Sequence, residues 1–208
     1  MSMAALQLKD PEKNHYVEKL QRHTGLLSTK LEVWKHFKDK NAIVDFGCGN
    51  GHFLESYLQL HPSFSGLGVD RRFKRLFKTA SKIQKFNDSK VFFGDVIEFV
   101  ESSPSDFWQE VWMMFPDPWP KKKHLKNRMI HSKLFYQIHR ILKSGGRFCF
   151  VSDHFPYWDF FIMTNYKIRL FPVSRAVEGD LFKGQHTSLF QRKFESQGLP
   201  IYSLEMRK

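Results

Sequence analysis

The sequence predicts an α/β fold, a single domain whose mostly parallel sheet carries helices on both faces. Short apolar runs of strand length alternate along the chain with longer segments of helical period, which is typical of βαβ units. Acidic residues also recur about one βα unit apart, where predicted strands end, at Asp45, Asp70, Asp95 and Asp117. Because ligands bind at the carboxyl ends of parallel strands, these four acids are candidate site residues.

The predicted elements follow one another along the chain in a regular order. The first 40 residues are polar and basic, with helical spacing over residues 26–37, so we expect a partly helical extension over residues 1–40 and the main domain over residues 41–208. The predicted strands cover residues 42–46, 64–69, 91–93, 111–115, 147–152 and 201–205. The predicted helices cover residues 52–60, 73–86, 130–142 and 155–165, and residues 96–100 are predicted as a short helix or turn. Pro62 ends the first of these helices, and the Ser-Gly-Gly at residues 144–146 predicts a turn.

The charge balance points to a polyanionic partner. Lys and Arg total 33 against 21 Asp and Glu, a formal net charge of +12. Nucleic acid and an acidic membrane surface both fit such an excess. No apolar run approaches the roughly 20 residues that span a bilayer, so we expect no membrane-spanning segment. The two cysteines, Cys48 and Cys149, form no C-x-x-C pair, so we expect a reducing, cytoplasmic setting. No His/Cys/Asp cluster has metal-ligand spacing, and we expect no metal.

A glycine-rich loop with the sequence G-C-G-N-G covers residues 47–51, just after the first predicted strand and Asp45. Glycines permit a tight turn and let the backbone approach a ligand closely. The spacing differs from the G-x-G-x-x-G of dinucleotide sites, because the third glycine comes one residue early. A turn without a ligand is the alternative interpretation, and the acids in step at the next two strand ends argue against it.

This D-x-G-x-G-x-G loop resembles the first motif of class I methyltransferases, which have a Rossmann-like fold. The resemblance implies S-adenosylmethionine as cofactor, with its methionine part in the glycine loop, its ribose on Asp70 and its adenine beside Asp95 and Val96. The cofactor-binding residues implied in this way are Asp45, Gly47, Gly49, Asp70, Arg71, Asp95, Val96 and Asp117.

The fourth predicted strand leads directly into F-P-D-P-W-P-K at residues 115–121, and a basic stretch follows. Two prolines hold the backbone around Asp117 stiffly, and Pro116 predicts an extended Phe115 that ends the strand. A rigid acid and the flat ring of Trp119, beside a cationic loop, suit a nucleobase whose phosphates need holding. The Lys run taken alone is better interpreted as a solvated surface.

The segment closely resembles the signature of the tRNA (guanine-N7)-methyltransferase family, F-P-D-P-W-x-K followed by basic residues. The resemblance extends from about residue 42 to the C-terminus and includes Ser152-Asp153, where the family usually has Thr-Asp. It implies methyl transfer to N7 of a guanine in the tRNA variable loop. By this resemblance Asp117 is the catalytic or the guanine-contacting acid, and Lys121 and Asp153 bind the substrate.

The C-terminal motif of that family, Thr-x-(Phe/Tyr)-Glu ahead of a strand, is altered here. Ser188 stands at the Thr place and Gln191 at the Glu place, or Thr187 supplies the hydroxyl if the register slips by one. The resemblance therefore implies Thr187, Ser188 and Gln191 as substrate-binding residues, with an amide where the family has a carboxylate.

Two other functions stay open. Amino-group methyltransferases, acting on a nucleobase or a protein side chain, carry (Asn/Asp)-Pro-Pro-(Tyr/Phe/Trp) after the same strand, and residues 117–119 lack its second proline. A catalytically inactive RNA-binding protein on the same fold is the other alternative, and the four acids in step argue against it. We expect tRNA as the partner and no membrane association. We also expect the protein to be a monomer or a homodimer.

Overall fold

The computed structural model describes residues 15–16, 18–19, 27–118, 132–186 and 188–208. Seven strands of this part of the chain form one sheet in the order β3-β2-β1-β4-β5-β7-β6. The strands are β1 (Ala42–Phe46), β2 (Ser65–Asp70), β3 (Ser89–Phe93), β4 (Trp108–Met114), β5 (Leu142–Ser152), β6 (Val173–Glu178) and β7 (Tyr202–Arg207). Strands β1 to β5 pair in parallel, and β7 runs antiparallel to both β5 and β6. The predicted, mostly parallel sheet is confirmed, and the carboxyl ends of five adjacent strands lie at one edge.

Helices pack on both faces of the sheet, as predicted. The helices are α1 (Lys30–Phe37), α2 (His52–Leu60), α3 (Phe73–Ile83), α4 (Val96–Ser102), α5 (Ser132–Ile141), α6 (Phe155–Ile168) and α7 (Leu189–Ser196). Because side chains alternate along a strand, Val44 and Phe46 pack with α1, α4, α5 and α6, whereas Ile43 packs with α2 and α3. Among the described residues, no helix is both long enough and apolar enough to cross a membrane.

Helix α1 lies within the segment that the sequence predicts to be an extension. A capping box fixes its start, since the Thr29 side chain accepts from the backbone N–H of Glu32 while Glu32 accepts from that of Thr29. Val33 and Phe37 are completely buried in the main core. The helix is therefore part of the packed structure, and the division of the chain at residue 40 stays a prediction.

The sequence pattern does not predict two elements of the structure, β6 and α7. Strand β6 is the edge of the sheet and residues 174–178 are exposed, so it lacks the apolar alternation of a half-buried strand. Helix α7 is short, and Gln191 is its buried residue. The predicted turn at residues 144–146 instead lies inside β5, where Gly145 has a φ of 74° beside a register shift in the β4–β5 pairing.

A buried ionic network joins α2 to three strands of the sheet. The Glu110 carboxylate accepts from the Tyr57 hydroxyl at 2.9 Å, from Trp112 Nε1 at 2.7 Å and from Arg147 Nε at 3.0 Å. Arg147 also contacts Glu205 on β7 at 3.0 Å. The Arg147 side chain is only 13% exposed and pairs with both buried carboxylates. Arg207 supplies a second cation to Glu205, at 3.0 Å.

We expect Arg147→Met to lower the free energy of unfolding by about 3 kcal/mol, because the buried Glu110 loses its ion-pair partner and Glu205 keeps only Arg207. Urea denaturation at neutral pH measures the change. The matched control is Lys85→Met, which breaks the exposed ion pair with Glu55 and should cost less than about 1 kcal/mol. Equal effects of the two substitutions would contradict the assigned importance of the network.

Candidate active site

A pocket opens at the carboxyl edge of the sheet, between the glycine loop after β1, the end of β4 and the start of α7. It is lined by Asp45, Gly47, Cys48, Gly49, Asn50, His52, Phe53, Arg75, Met114, Phe115, Ser188, Leu189 and Phe190. Ligands of parallel sheets bind at this edge. The pocket therefore lies where the sequence places the candidate site.

Three glycines of the loop have left-handed backbone conformations. The φ angles are 76° at Gly47, 57° at Gly49 and 76° at Gly51, a region that side chains with a Cβ disfavour. Their surroundings differ. A Cβ at Gly47 would have no heavy atom within 4 Å, whereas one at Gly51 would lie 2.7 Å from the Thr79 Cα. Gly47 thus leaves open space beside the pocket, and Gly51 permits α2 to begin against α3.

The Asp70 carboxylate holds the glycine loop in place. It accepts from the backbone N–H of Gly49 at 3.0 Å and from that of Arg72 at 2.8 Å. The Thr79 hydroxyl donates to the Gly49 carbonyl at 2.8 Å. One acid at the end of β2 therefore positions both the loop after β1 and the turn that leads into α3.

Asp45 lies beside this anchored loop and is only 1% exposed. Its Oδ1 is buried and has no hydrogen-bond partner among the described residues. Burial, and then the nearby charge of Asp70, raise the pKa of Asp45 well above its usual value. Burial also raises the pKa of Asp70, against the opposing effect of its backbone donors. A buried carboxylate with an unused acceptor is suited to a cationic hydrogen-bond donor.

The opposite wall of the pocket is apolar and aromatic. Phe115 lies 6.0 Å from Phe190 and 5.3 Å from Phe194 between ring centroids. The expectation of an extended Phe115 before Pro116 is wrong, because Phe115 has a φ of 50°. Its N–H still donates to the Val151 carbonyl at 2.8 Å, so the chain turns sharply at the end of β4 instead of continuing the strand. Strained backbone of this kind is concentrated at functional sites.

Ser188 and Gln191 fix the start of α7. The Ser188 side chain caps the helix by accepting from the Gln191 backbone N–H at 3.0 Å. The Gln191 side chain is buried, and its amide donates to Asp180 at 2.6 Å and to Glu195 at 3.2 Å. Ser188 lines the pocket, whereas Gln191 ties α7 to the segment after β6.

The match to a family model decides what kind of protein has this site. Residues 39–204 match the model Methyltransf_4, whose description is "Putative methyltransferase". The chain belongs to this methyltransferase family. S-adenosylmethionine is its cofactor, and the pocket fits that molecule, since the unpaired Asp45 oxygen can accept from an ammonium group and Gly47 leaves room for close approach.

Named relatives and solved structures agree with this membership. The tRNA (guanine-N(7)-)-methyltransferase of Clostridioides difficile is 25% identical over 179 residues, 83% of either chain. That of Bacillus subtilis is 26% identical over 178 residues, 82% of either chain. The structure of an antibiotic-related methyltransferase aligns with a TM-score of 0.61 and 16% identity, over 87% of this chain and 94% of that one. At this identity the structure shows the fold alone, and it confirms the predicted methyltransferase fold.

The structure gathers some of the predicted site residues of this methyltransferase at the pocket and leaves others outside it. Those that line it are Asp45, Gly47, Gly49 and Ser188. Asp70 borders the pocket through its hydrogen bond to Gly49. Asp95 caps α4 by accepting from the backbone N–H of Ile97, and Val96 is buried in the core.

The other predicted site residues lie outside the pocket lining or outside the described residues. Arg71, Asp117 and Asp153 are exposed residues that follow β2, β4 and β5. Trp119, Lys121 and Thr187 lie outside the described residues, and the roles of all of these residues stay predictions.

Several pocket residues have no clear signal in the sequence. Arg75 is in the first turn of α3, and Leu189 and Phe190 follow the predicted Ser188 directly. For Leu189 and Phe190, the sequence offers only their position beside Ser188. It does not indicate that a helix begins there. Arg75 belongs to a run of basic residues in which no single position stands out.

We expect Gly51→Ala to destabilise the methyltransferase by at least about 2 kcal/mol more than Gly47→Ala. Both substitutions incur the left-handed strain of about 1–2 kcal/mol, but only the Cβ added at position 51 would also meet the backbone of Thr79. Chemical denaturation of the two variants measures the difference. Similar losses would show that α2 and α3 can separate without cost.

Asp45→Asn should stabilise the ligand-free protein at pH 8 but not near pH 4. A folded-state pKa above the unfolded value means that wild-type stability falls as pH rises between the two values, and Asn removes that loss. The variant should therefore have a higher free energy of unfolding than wild type at pH 8 and no such advantage near pH 4. Urea titrations at both pH values measure it. An Asp45→Asn variant that is less stable than wild type at pH 8 would contradict the raised pKa of Asp45. The same variant should also bind S-adenosylmethionine more weakly.

Proposed function

We propose that this methyltransferase transfers the methyl group of S-adenosylmethionine to N7 of a guanine in the variable loop of tRNA, giving 7-methylguanosine. The turn after β4 carries the proposal. Phe115 lines the pocket, and Pro116-Asp117-Pro118 follows it at once, so a stiffly held carboxylate comes two residues after the pocket wall. The relatives named tRNA (guanine-N(7)-)-methyltransferase, aligned over most of both chains, support the same substrate.

The chemistry of guanine N7 explains why one carboxylate is enough. The N7 atom has a lone pair in the ring plane and no proton to lose, so the reaction needs alignment more than a general base. S-adenosylmethionine supplies a methyl group already activated on a sulfonium sulfur. The methylated ring becomes positively charged, and a carboxylate held nearby stabilises that charge as it develops. We assign this role to Asp117.

The pocket residues divide the remaining tasks. Asp45 and Asp70 with the glycine loop hold the cofactor, with Asp45 accepting from its ammonium group. Phe190 is 45% exposed and lies against Phe115, so part of its ring is available for contact with a base. Burial, with the charges of Asp45 and Asp70, raises the pKa of Cys48 well above its usual value, so Cys48 remains a neutral thiol and does not act as a nucleophile.

Two further properties belong to the proposal. We place the protein in the cytoplasm, where the free thiols of the buried Cys48 and Cys149 are stable. We expect it to act as a monomer or a homodimer.

Incubation with S-adenosylmethionine and unmodified tRNA, followed by mass spectrometry of the nucleosides, tests the proposal. The expected product is 7-methylguanosine at a position of the variable loop. A methylated exocyclic amine would instead support an amino-group methyltransferase, and S-adenosylmethionine binding without any product would support an inactive RNA-binding protein.

In the same assay, Asp117→Asn should lower kcat by about 100- to 1000-fold, the usual cost of removing one group that stabilises developing charge. The affinity for S-adenosylmethionine, measured by calorimetry, should stay within about twofold. Asp159→Asn on α6 is the matched control and should keep wild-type turnover. Unchanged turnover in Asp117→Asn would remove the assigned role.

A further inference from the structure

Helix α3 carries a stripe of cations along one side. Arg75, Lys78 and Lys82 recur at intervals of three and four residues, so they lie on the same side of the helix over about 10 Å. The face packed on the core holds apolar residues and Thr79 instead. Arg192 is exposed on α7. We call Arg75, Lys78, Lys82 and Arg192 the cationic stripe.

Cations from both helices converge at His52, the first residue of α2. Burial, and then the charges of Lys82, Arg192 and Lys78, lower the pKa of His52. His52 and Arg75 both line the pocket. The cationic stripe therefore begins at the mouth of the candidate active site and continues away from it along α3.

Arg75 lies near the Asp70 carboxylate, but the other three cations of the stripe have no ion-pair partner within the described part of the chain. Residues 71–87 contain seven Lys and Arg residues and no Asp or Glu. The nearby carboxylate of Glu55 is engaged by Lys85 at 2.8 Å. Lys78, Lys82 and Arg192 form no ion pair with any described residue. Like charges gathered in this way repel one another, and a bound polyanion relieves that repulsion.

We propose that the cationic stripe binds the sugar-phosphate backbone of the tRNA next to the nucleotide that enters the pocket. This inference rests on the proposed function, because it takes tRNA as the substrate. The cationic stripe is continuous with the pocket in which the substrate base would bind, and this favours RNA over an anionic membrane as its partner. Helix α3 also exposes none of the large apolar side chains that would insert into a lipid surface.

The test compares two triple variants that lose the same net charge. The stripe variant combines Lys78→Gln, Lys82→Gln and Arg192→Gln, and leaves the pocket residue Arg75 intact. The control variant combines Lys35→Gln, Lys38→Gln and Lys167→Gln, which remove exposed cations on or next to α1 and α6, at the other face of the sheet. Both are assayed for tRNA affinity between 50 and 200 mM salt (roughly the range in which phosphate contacts weaken), for methyl transfer and for S-adenosylmethionine affinity.

The stripe variant should bind tRNA at least about tenfold more weakly than wild type at low salt. Its slope of log affinity against log salt should be shallower by about 2, because each lost phosphate contact removes about 0.7–0.9. The KM for tRNA should rise while S-adenosylmethionine affinity and kcat at saturating tRNA stay at wild-type values. The control variant should lose much less affinity and keep the wild-type slope.

Four results would overturn the proposal. The first three are equal losses of tRNA affinity in both variants, an unchanged salt slope in the stripe variant, and loss of S-adenosylmethionine binding together with tRNA binding. A fourth is stripe-dependent binding to phosphatidylserine vesicles with tRNA affinity unchanged, which would assign the surface to a membrane. Wild-type protein that forms no 7-methylguanosine refutes the proposed function instead, so the two failures are distinguishable.

Discussion

The site depends on one hydrogen-bonded carboxylate, that of Asp70, which accepts from backbone N–H groups on two different connections. Gly49 belongs to the loop after β1, and Arg72 precedes the first turn of α3. A single side chain at the end of β2 thus sets both the path of the glycine loop and the start of the helix beside it. Charge-assisted bonds to backbone N–H groups are among the stronger hydrogen bonds in proteins. The bond to Gly49 extends the attachment of the loop to β2 that begins where the Gly47 N–H donates to the Val69 carbonyl at 2.9 Å.

The same arrangement brings Asp70 close enough for its charge to disfavour ionisation of Asp45. Burial raises the pKa of both carboxylates, and Asp70 raises that of Asp45 further. The ligand-free site is therefore destabilised by its own acids, because Asp45 has an oxygen with no partner among the described residues. A cofactor with an ammonium group compensates for this defect both in charge and in hydrogen bonding. Part of the binding free energy of such a cofactor would then come from removing the unfavourable burial of the unpaired Asp45 carboxylate.

The sequence predicts those parts of the structure that local pattern decides and misses those that distant contacts decide. Strands β1 to β5 and the acids at or just beyond their ends have strong local signals, apolar runs and turn residues, and the alternation of strands with helices implies a mostly parallel sheet. Edge strand β6 has no such signal. Pro116 predicts an extended Phe115, yet the left-handed turn there is imposed by the bond to Val151 and the ring contacts with Phe190 and Phe194. Those contacts come from residues that are distant in the sequence and near only in the fold.

Gln191 shows how a departure from a family pattern can be compensated locally. By resemblance a carboxylate is expected there, and here the amide donates to the carboxylates of Asp180 and Glu195. A Glu at this position would bring three carboxylates together, at a place where burial already raises the pKa of Asp180. The amide is thus the side chain that these two acids can accommodate. Gln191 therefore holds α7, which carries the pocket residues Ser188 and Phe190, to the segment after β6.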